Sequence, residues 1–400
     1  MHLSQRAQAI KPSATLAVTA KAKSMKAAGQ DVVSFGAGEP DFDTPDHIKQ
    51  AAQQAIDDGL TKYQPAPGSP EARQAVAAYM NERFGYGFTQ ENVIISCGGK
   101  HALYLAFMCV VDPGDEVLLP APYWVSYPQQ ARLAGGSIKE ISASADQQFR
   151  ITPNQLDEAI TDKTRVLVLN SPSNPTGAMY TPDELRAIGE VVAQYPNLIV
   201  FSDEIYERLV YDDAEFASFA AVNPNLADRT VTFNCLSKTY AMTGWRIGFT
   251  IGPAELVKQM AAMQGQMTSN ITSFCLPAVT AALQGDQSGV ETMRQAFEER
   301  GHHIHQRLTR MEGIECPPPR GAFYVFPDVS AAAFGKHDPA GEKIESASDF
   351  AASLLQHQQV AVVPGEDFGA PSHVRLSFAT SMEQIDKGLD RIEAYLNTLQ

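Results

Sequence analysis

Seven short apolar runs, at residues 92–96, 116–120, 137–141, 164–170, 197–203, 229–235 and 245–251, constrain this chain more than any other feature of it. They read as strands, and most are separated by a stretch long enough for a crossover helix. Strands alternating with helices predict an α/β fold, with a mostly parallel seven-stranded sheet covered by helices on both faces. Ligands of such sheets sit beyond the carboxyl ends of the strands. Lys100, Asn174, Asp203, Tyr206 and Lys238 all fall there.

The chain of 400 residues exceeds the roughly 250–300 at which one core stops growing, so two domains are expected. Helical patterns cover residues 13–28, 45–58, 70–83, 290–311 and 382–399, and also 253–285, where 269–273 is a polar interruption. Further strand-like runs lie at 322–327, 360–364 and 373–378. The expected division is a large domain from 45 to 290 and a smaller α+β domain built from 1–44 and 291–400.

The formal charge is −15, from 46 acidic and 31 basic residues. That balance argues against nucleic-acid or anionic-membrane partners and requires local cations for any anionic substrate. No apolar run reaches the roughly 18 residues of a membrane span, and the first residues lack a signal-peptide core. The five cysteines are odd in number and scattered, with neither metal-ligand nor disulfide spacing. A cytoplasmic protein without a metal is expected.

Lys238 stands between a β-branched lead-in, Thr230-Val231-Thr232-Phe233, and the run that begins at Trp245. Partial desolvation and a neighbouring cation such as Arg246 favour its neutral amine, which can attack a carbonyl carbon. The segment Ser96-Cys97-Gly98-Gly99-Lys100 lies between a strand and an apolar helix. Backbone N–H groups of Gly99 and Lys100 would then be available to a phosphate, with Arg246 as a bidentate partner and Ser237 or Tyr63 completing the cup. Asp203 closes an apolar strand and needs a partner, either a cation or the first turn of a helix. Arg375 is a charge inside an apolar strand, where an anion is the expected partner. Other assignments stay open at this point: a structural ion pair for Arg246, core packing for Trp124 and Tyr63, a tight turn for Gly36-Ala37-Gly38, and solvated surface for Lys11.

The string from Ser237 to Gly248, Ser-Lys-Thr-Tyr-Ala-Met-Thr-Gly-Trp-Arg-Ile-Gly, resembles the lysine signature of the class I aminotransferases, which depend on pyridoxal 5′-phosphate (PLP). The likeness is greatest to the bacterial aspartate and aspartate/prephenate subgroup, and it spans nearly the whole chain. It implies the aspartate aminotransferase fold and a homodimer whose Tyr63 reaches the cofactor phosphate of the other subunit. It also implies that Lys238 is the catalytic lysine and cofactor anchor. Asp203 would meet the pyridine nitrogen, Asn174 and Tyr206 the ring oxygen, and Trp124 the ring face. Gly38, Asn174 and Arg375 would hold the substrate α-carboxylate. Lys100 and Thr15 would serve a distal carboxylate, and Lys11 matches a lysine associated with prephenate use.

The implied activity moves an amino group between aspartate or glutamate and a 2-oxo acid, prephenate included. Transamination of aromatic or neutral amino acids, or a β-lyase reaction on the same scaffold, is the alternative. Two departures from the pattern stand out. Cys235 stands in a variable lead-in to the lysine, and residues 335–339 form a local loop expected to affect access to the site.

Overall fold

A computed structural model describes residues 2–4, 7–8, 10 and 14–400, with the backbone alone at 14–17 and 19. Strands are numbered along the chain: β1 (Val33–Ser34), β2 (Val93–Cys97), β3 (Glu116–Ala121), β4 (Ser137–Ser142), β5 (Thr164–Asn170), β6 (Ile199–Asp203), β7 (Thr230–Cys235), β8 (Ile247–Ile251), β9 (Tyr324–Val325), β10 (Val360–Ala361), β11 (Val363–Pro364) and β12 (Val374–Ser377). Strands β2 to β8 form one seven-stranded sheet in the order β2-β8-β7-β6-β5-β3-β4. Its β4-β3-β5-β6-β7 portion is parallel throughout. Only β8 runs against its neighbours. The short path from β7 to β8 turns back after a single helical turn, too short for a crossover helix.

The sheet is apolar on both faces because helices cover both. The central strands β5 to β7 are buried almost throughout, and each buried Val, Ile or Phe contributes about 1.5–3 kcal/mol. Helices Asp46–Asp57, Pro70–Phe84 and Leu276–Gln284 share one core with β2 and β8. Helices Gly99–Val110 and Ala254–Met267 share another with β3, β5, β6 and β7. Helix Pro70–Phe84 begins as its sequence predicts, with Ser69 capping the Ala72 N–H and proline at the first helical position. Pro45, expected inside its helix, instead precedes Asp46–Asp57 in an extended conformation.

A further core joins the two ends of the chain. Val33 and Phe35 pack there with the helices Ser288–Leu308, Ala347–Gln358 and Met382–Leu396, and Tyr206, Leu209 and Tyr211 insert from the connection after β6. The run 360–364 proves to be two strands rather than one. Val360–Ala361 pairs in parallel with β1, whereas Val363–Pro364 pairs antiparallel with β12, so Val362 marks a change of sheet. Of the run 322–327, only Tyr324–Val325 is strand, paired antiparallel with β12.

Candidate active site

The residues singled out at the strand ends converge on a cavity of about 680 Å³ lined by Gly38, Gly99, Lys100, Trp124, Asp203, Ser237, Lys238 and Arg246, among others. A space of about 190 Å³ shares Gly38, Lys100, Trp124, Asp203 and Lys238 with it. That space adds Tyr127, Asn174, Tyr206, Tyr324 and Arg375.

β7 is buried along its whole length and delivers the single helical turn Leu236–Thr239, which carries Ser237 and Lys238. Lys238 Nζ donates to the carbonyl oxygen of Gly38, 200 residues away in sequence. The amine also lies 5.6 Å from the centroid of the Phe323 ring.

Gly98 precedes the helix Gly99–Val110 with φ +84, and its carbonyl accepts from His101 and Ala102, which leaves the N–H groups of Gly99 and Lys100 at the open helix end. A Cβ at Gly98 would lie 2.4 Å from Arg246 Nη2, so glycine is what lets this guanidinium reach the helix start. Arg246 is itself left-handed, with φ 58. Carbonyl oxygens of Thr243 and Cys97 hold it, at 2.9 and 3.4 Å, instead of the carboxylate of a structural ion pair. Lys100 Nζ lies 4.9 Å from the Trp124 ring centroid. Burial, then the charges of Arg246 and Lys238, draw its pKa below the ordinary lysine value. Lys100, Lys238 and Arg246 thus face the same cavity.

Asp203 is 1% exposed. The Tyr127 hydroxyl donates to Oδ2 at 2.5 Å and the Ile205 N–H reaches Oδ1 at 3.4 Å. Burial pushes its carboxyl up to about 6 despite these donors and the charge of Lys238. The chain beyond it turns rather than starting a helix, so the capping alternative falls away.

Arg375 is 2% exposed. It donates to Asn174 Oδ1 and to the Gly36 carbonyl, both at 3.0 Å, and lies 4.6 Å from the Tyr324 ring centroid, while its Nε has no partner among the described residues. All of these partners are neutral, and burial lowers its pKa. Tyr206 exchanges a 3.0 Å hydrogen bond with Tyr324. Burial raises its phenol well above the usual value.

Residues 30–392 match the family described as aminotransferase class I and II. The chain belongs to the class I and II aminotransferases. It is 47% identical over 386 residues, 96% of each chain, to a probable aspartate/prephenate aminotransferase of Rhizobium leguminosarum bv. phaseoli. It is 46% identical over 396 residues, 99% of each chain, to the aspartate aminotransferase of Geobacillus stearothermophilus. Among solved structures, the aspartate aminotransferase from Rhizobium meliloti superposes with a TM-score of 0.96 at 40% identity over the whole of both chains. The Thermus thermophilus aspartate aminotransferase with maleate gives 0.91 at 41% identity, covering 99% of this chain and all of that one.

Not every expected residue of this aminotransferase reaches the cavity. Tyr63 is 88% exposed and lies outside the cavity of its own chain. Lys11 and the side chain of Thr15 lie outside the described residues. The loop 335–339 folds against the carboxyl terminus: His337 N–H donates to the Gln400 carbonyl at 2.7 Å, and Asp338 accepts from Ser353 at 2.6 Å. It lines neither part of the Lys238 cavity.

Sequence reasoning missed Tyr127, Tyr324 and Asn170. Tyr127 lay in the aromatic run 122–127, but nothing in that run marked which ring would meet Asp203. Asn170, at the end of β5, accepts from the Asn174 N–H at 2.9 Å and so shapes the turn that presents Asn174 to Arg375. Among the described residues no helix is long and apolar enough to cross a membrane.

Proposed function

We propose that this chain is a PLP-dependent aspartate aminotransferase that passes the amino group of an acidic amino acid to a 2-oxo acid. The observation that carries the reading is the convergence of Lys238, Asp203 and Arg375 on one cavity, from three remote parts of the sequence. The charges facing that cavity fit the cofactor. Arg246 and the N–H groups of Gly99 and Lys100 at the open helix end call for a phosphate, which Ser237 would also meet. Asp203, buried and lacking a full counter-charge, calls for a cationic ring N–H. Trp124, Asn174 and Tyr206 line the space between those two ends. When bound, PLP supplies an electron sink that stabilises negative charge on the substrate Cα.

Arg375 binds the substrate α-carboxylate bidentately, and Gly38 and Asn174 line the same end of the site. Lys238 Nζ takes the proton from the substrate Cα, and the surrounding burial keeps water from competing for it. Tyr127 holds Asp203 in orientation. Lys100 is the cation for a distal carboxylate, which a protein of net charge −15 must supply locally. The relatives named for aspartate or for aspartate and prephenate, and the Thermus structure with maleate, support a dicarboxylate preference. Thr15 assists Lys100 in this reading, and prephenate is a further acceptor, with Lys11 assisting.

The exposed Tyr63 fits a homodimer in which it reaches the phosphate of the other subunit. The division into 45–290 and a smaller unit from 1–44 and 291–400 fits a site closed between them. Five free cysteines suit a reducing compartment such as the cytoplasm.

The experiment is amino transfer from aspartate to 2-oxoglutarate by Lys238→Ala, for which a loss of about 10²–10⁴-fold is expected from removing the proton carrier. Unchanged turnover would refute the assignment. In the parent enzyme, kcat/KM should favour aspartate and glutamate over an aromatic amino acid. Release of ammonia and pyruvate from a single substrate would instead mark a lyase.

A further inference from the structure

Asp203 and Glu204 are neighbours at the end of β6, each 1% exposed. The alternation of side chains along an extended backbone sends them opposite ways. Asp203 faces the Lys238 cavity. Glu204 enters the interior with Ser202, and its Oε1 accepts from Ser202 Oγ at 2.7 Å, Ser218 Oγ at 2.6 Å and the Phe219 N–H at 3.2 Å. The Tyr86 hydroxyl is hydrogen-bonded to Ser218 in turn. Among the described residues Glu204 Oε2 has no partner. Further along the same turn, Glu207 takes the Tyr79 hydroxyl at 2.5 Å and Arg83 at 2.7 Å from the helix Pro70–Phe84. The turn after β6 therefore presents Asp203 and Tyr206 to the cavity and fastens Glu204 and Glu207 into the body.

A buried carboxylate with one orphaned oxygen is a costly way to fill space, since an apolar side chain of similar volume avoids the desolvation. What Glu204 gains is reach to both flanks of Asp203: it grips Ser202 on one side and is itself the residue on the other, and it ties both to the segment at 218–219. The backbone completes the clamp. Glu204 N–H donates to the Phe233 carbonyl at 2.9 Å, and the Asp203 carbonyl accepts from Ser171 N–H at 3.2 Å and Asn170 Nδ2 at 3.0 Å.

We propose that Glu204 is a positioning residue for Asp203, holding the direction in which that carboxylate meets the ring nitrogen of PLP. The proposal rests on the reading that Asp203 has this partner. Its test is a double-mutant cycle on the full-length chain, with PLP titrated into the cofactor-free protein and binding followed by tryptophan fluorescence. Glu204→Ala should raise the PLP dissociation constant about tenfold in the parent, yet less than about twofold in an Asp203→Ala background, because the two residues act as one unit. Glu204→Gln keeps the accepting oxygen and should stay within about threefold of the parent. If Glu204→Ala fails to fold, Ser218→Ala enters the same cycle and should show a smaller loss that likewise vanishes without Asp203. Equal losses in both backgrounds, or no loss at all, would overturn the proposal while leaving the Asp203 assignment intact. An Asp203→Ala chain that binds PLP as tightly as the parent would overturn the assignment, and the proposal with it.

Discussion

The two walls of the cavity are built differently. One is the carboxyl edge of the seven-stranded sheet, where Asp203, Ser237 and Lys238 follow buried strands whose ladders are complete to the last residues. The other comes from the ends of the chain, where Gly36, Gly38, Tyr324 and Arg375 sit in or beside strands of two to four residues in separate two- and three-stranded sheets. Across the gap the walls meet through the polar contacts of Lys238 with Gly38, Arg375 with Asn174 and Tyr206 with Tyr324, and Tyr206 also packs into the core built from the chain ends. On the sheet wall Asp203 is buried with only hydrogen-bond donors in contact, and on the other wall Arg375 is buried among neutral groups. Each lacks what the other type of ligand group supplies, so a cofactor with a cationic ring and a substrate with a carboxylate would bind to opposite walls.

The largest effect expected from this contrast is at Arg375. Arg375→Met should raise KM for aspartate and for 2-oxoglutarate about a hundredfold, because a buried charged hydrogen-bond pair is lost. The melting temperature of the cofactor-free protein should hold or rise, since that variant no longer buries a cation among neutral groups. A fall in stability with unchanged KM would make Arg375 a structural residue and erase the difference between the walls.

A smaller effect concerns Asp203. Its carboxyl binds a proton more tightly in the folded chain, with a pKa near 6, than at the ordinary 3.8. The stability this gives the cofactor-free protein is complete below about pH 4 and is lost as pH rises through about 6. Urea unfolding of the parent and of Asp203→Asn between pH 4 and 6 should therefore diverge by up to about 1.4 kcal/mol per pH unit, the parent losing more. Burial also raises Glu204, to about 7, but it is common to both proteins and cancels in the difference. Parallel profiles would mean that Asp203 is not held as an isolated acid.

The smallest effect lies away from the cavity. Ser69→Ala removes the cap of helix Pro70–Phe84 and should cost about 1 kcal/mol in chemical denaturation without moving KM. A change in KM would show that the sheet wall is less independent of its covering helices than its burial suggests.

The sheet wall was legible in the sequence because its strands are continuous apolar runs and its functional residues sit at their ends. The strand ends placed Lys238, Asp203, Gly99 and Asn174 in one region, and the resemblance carried by the string from Ser237 to Gly248 singled out Lys238 among them. The second wall was legible only in part. Arg375 stood out as a charge in an apolar strand, but the partners that hold it, Asn174 and the Gly36 carbonyl, are 201 and 339 residues away. The change of sheet at Val362 left no mark on the pattern of five apolar or near-apolar residues around it. Tyr127 and Tyr324 were hidden for a related reason: a buried phenol that hydrogen-bonds a carboxylate or a second phenol has the same sequence signature as one that only packs. Glu204 and Glu207 carry no mark in the sequence, since nothing local announces that a carboxylate will point inward.

The most direct measurement is the site of covalent attachment. PLP added to the full-length chain, fixed by borohydride reduction and located by peptide mass mapping, should leave its pyridoxyl group on Lys238 and nowhere else in stoichiometric amount. A label on Lys100 or another lysine, or no label at all, would contradict the account.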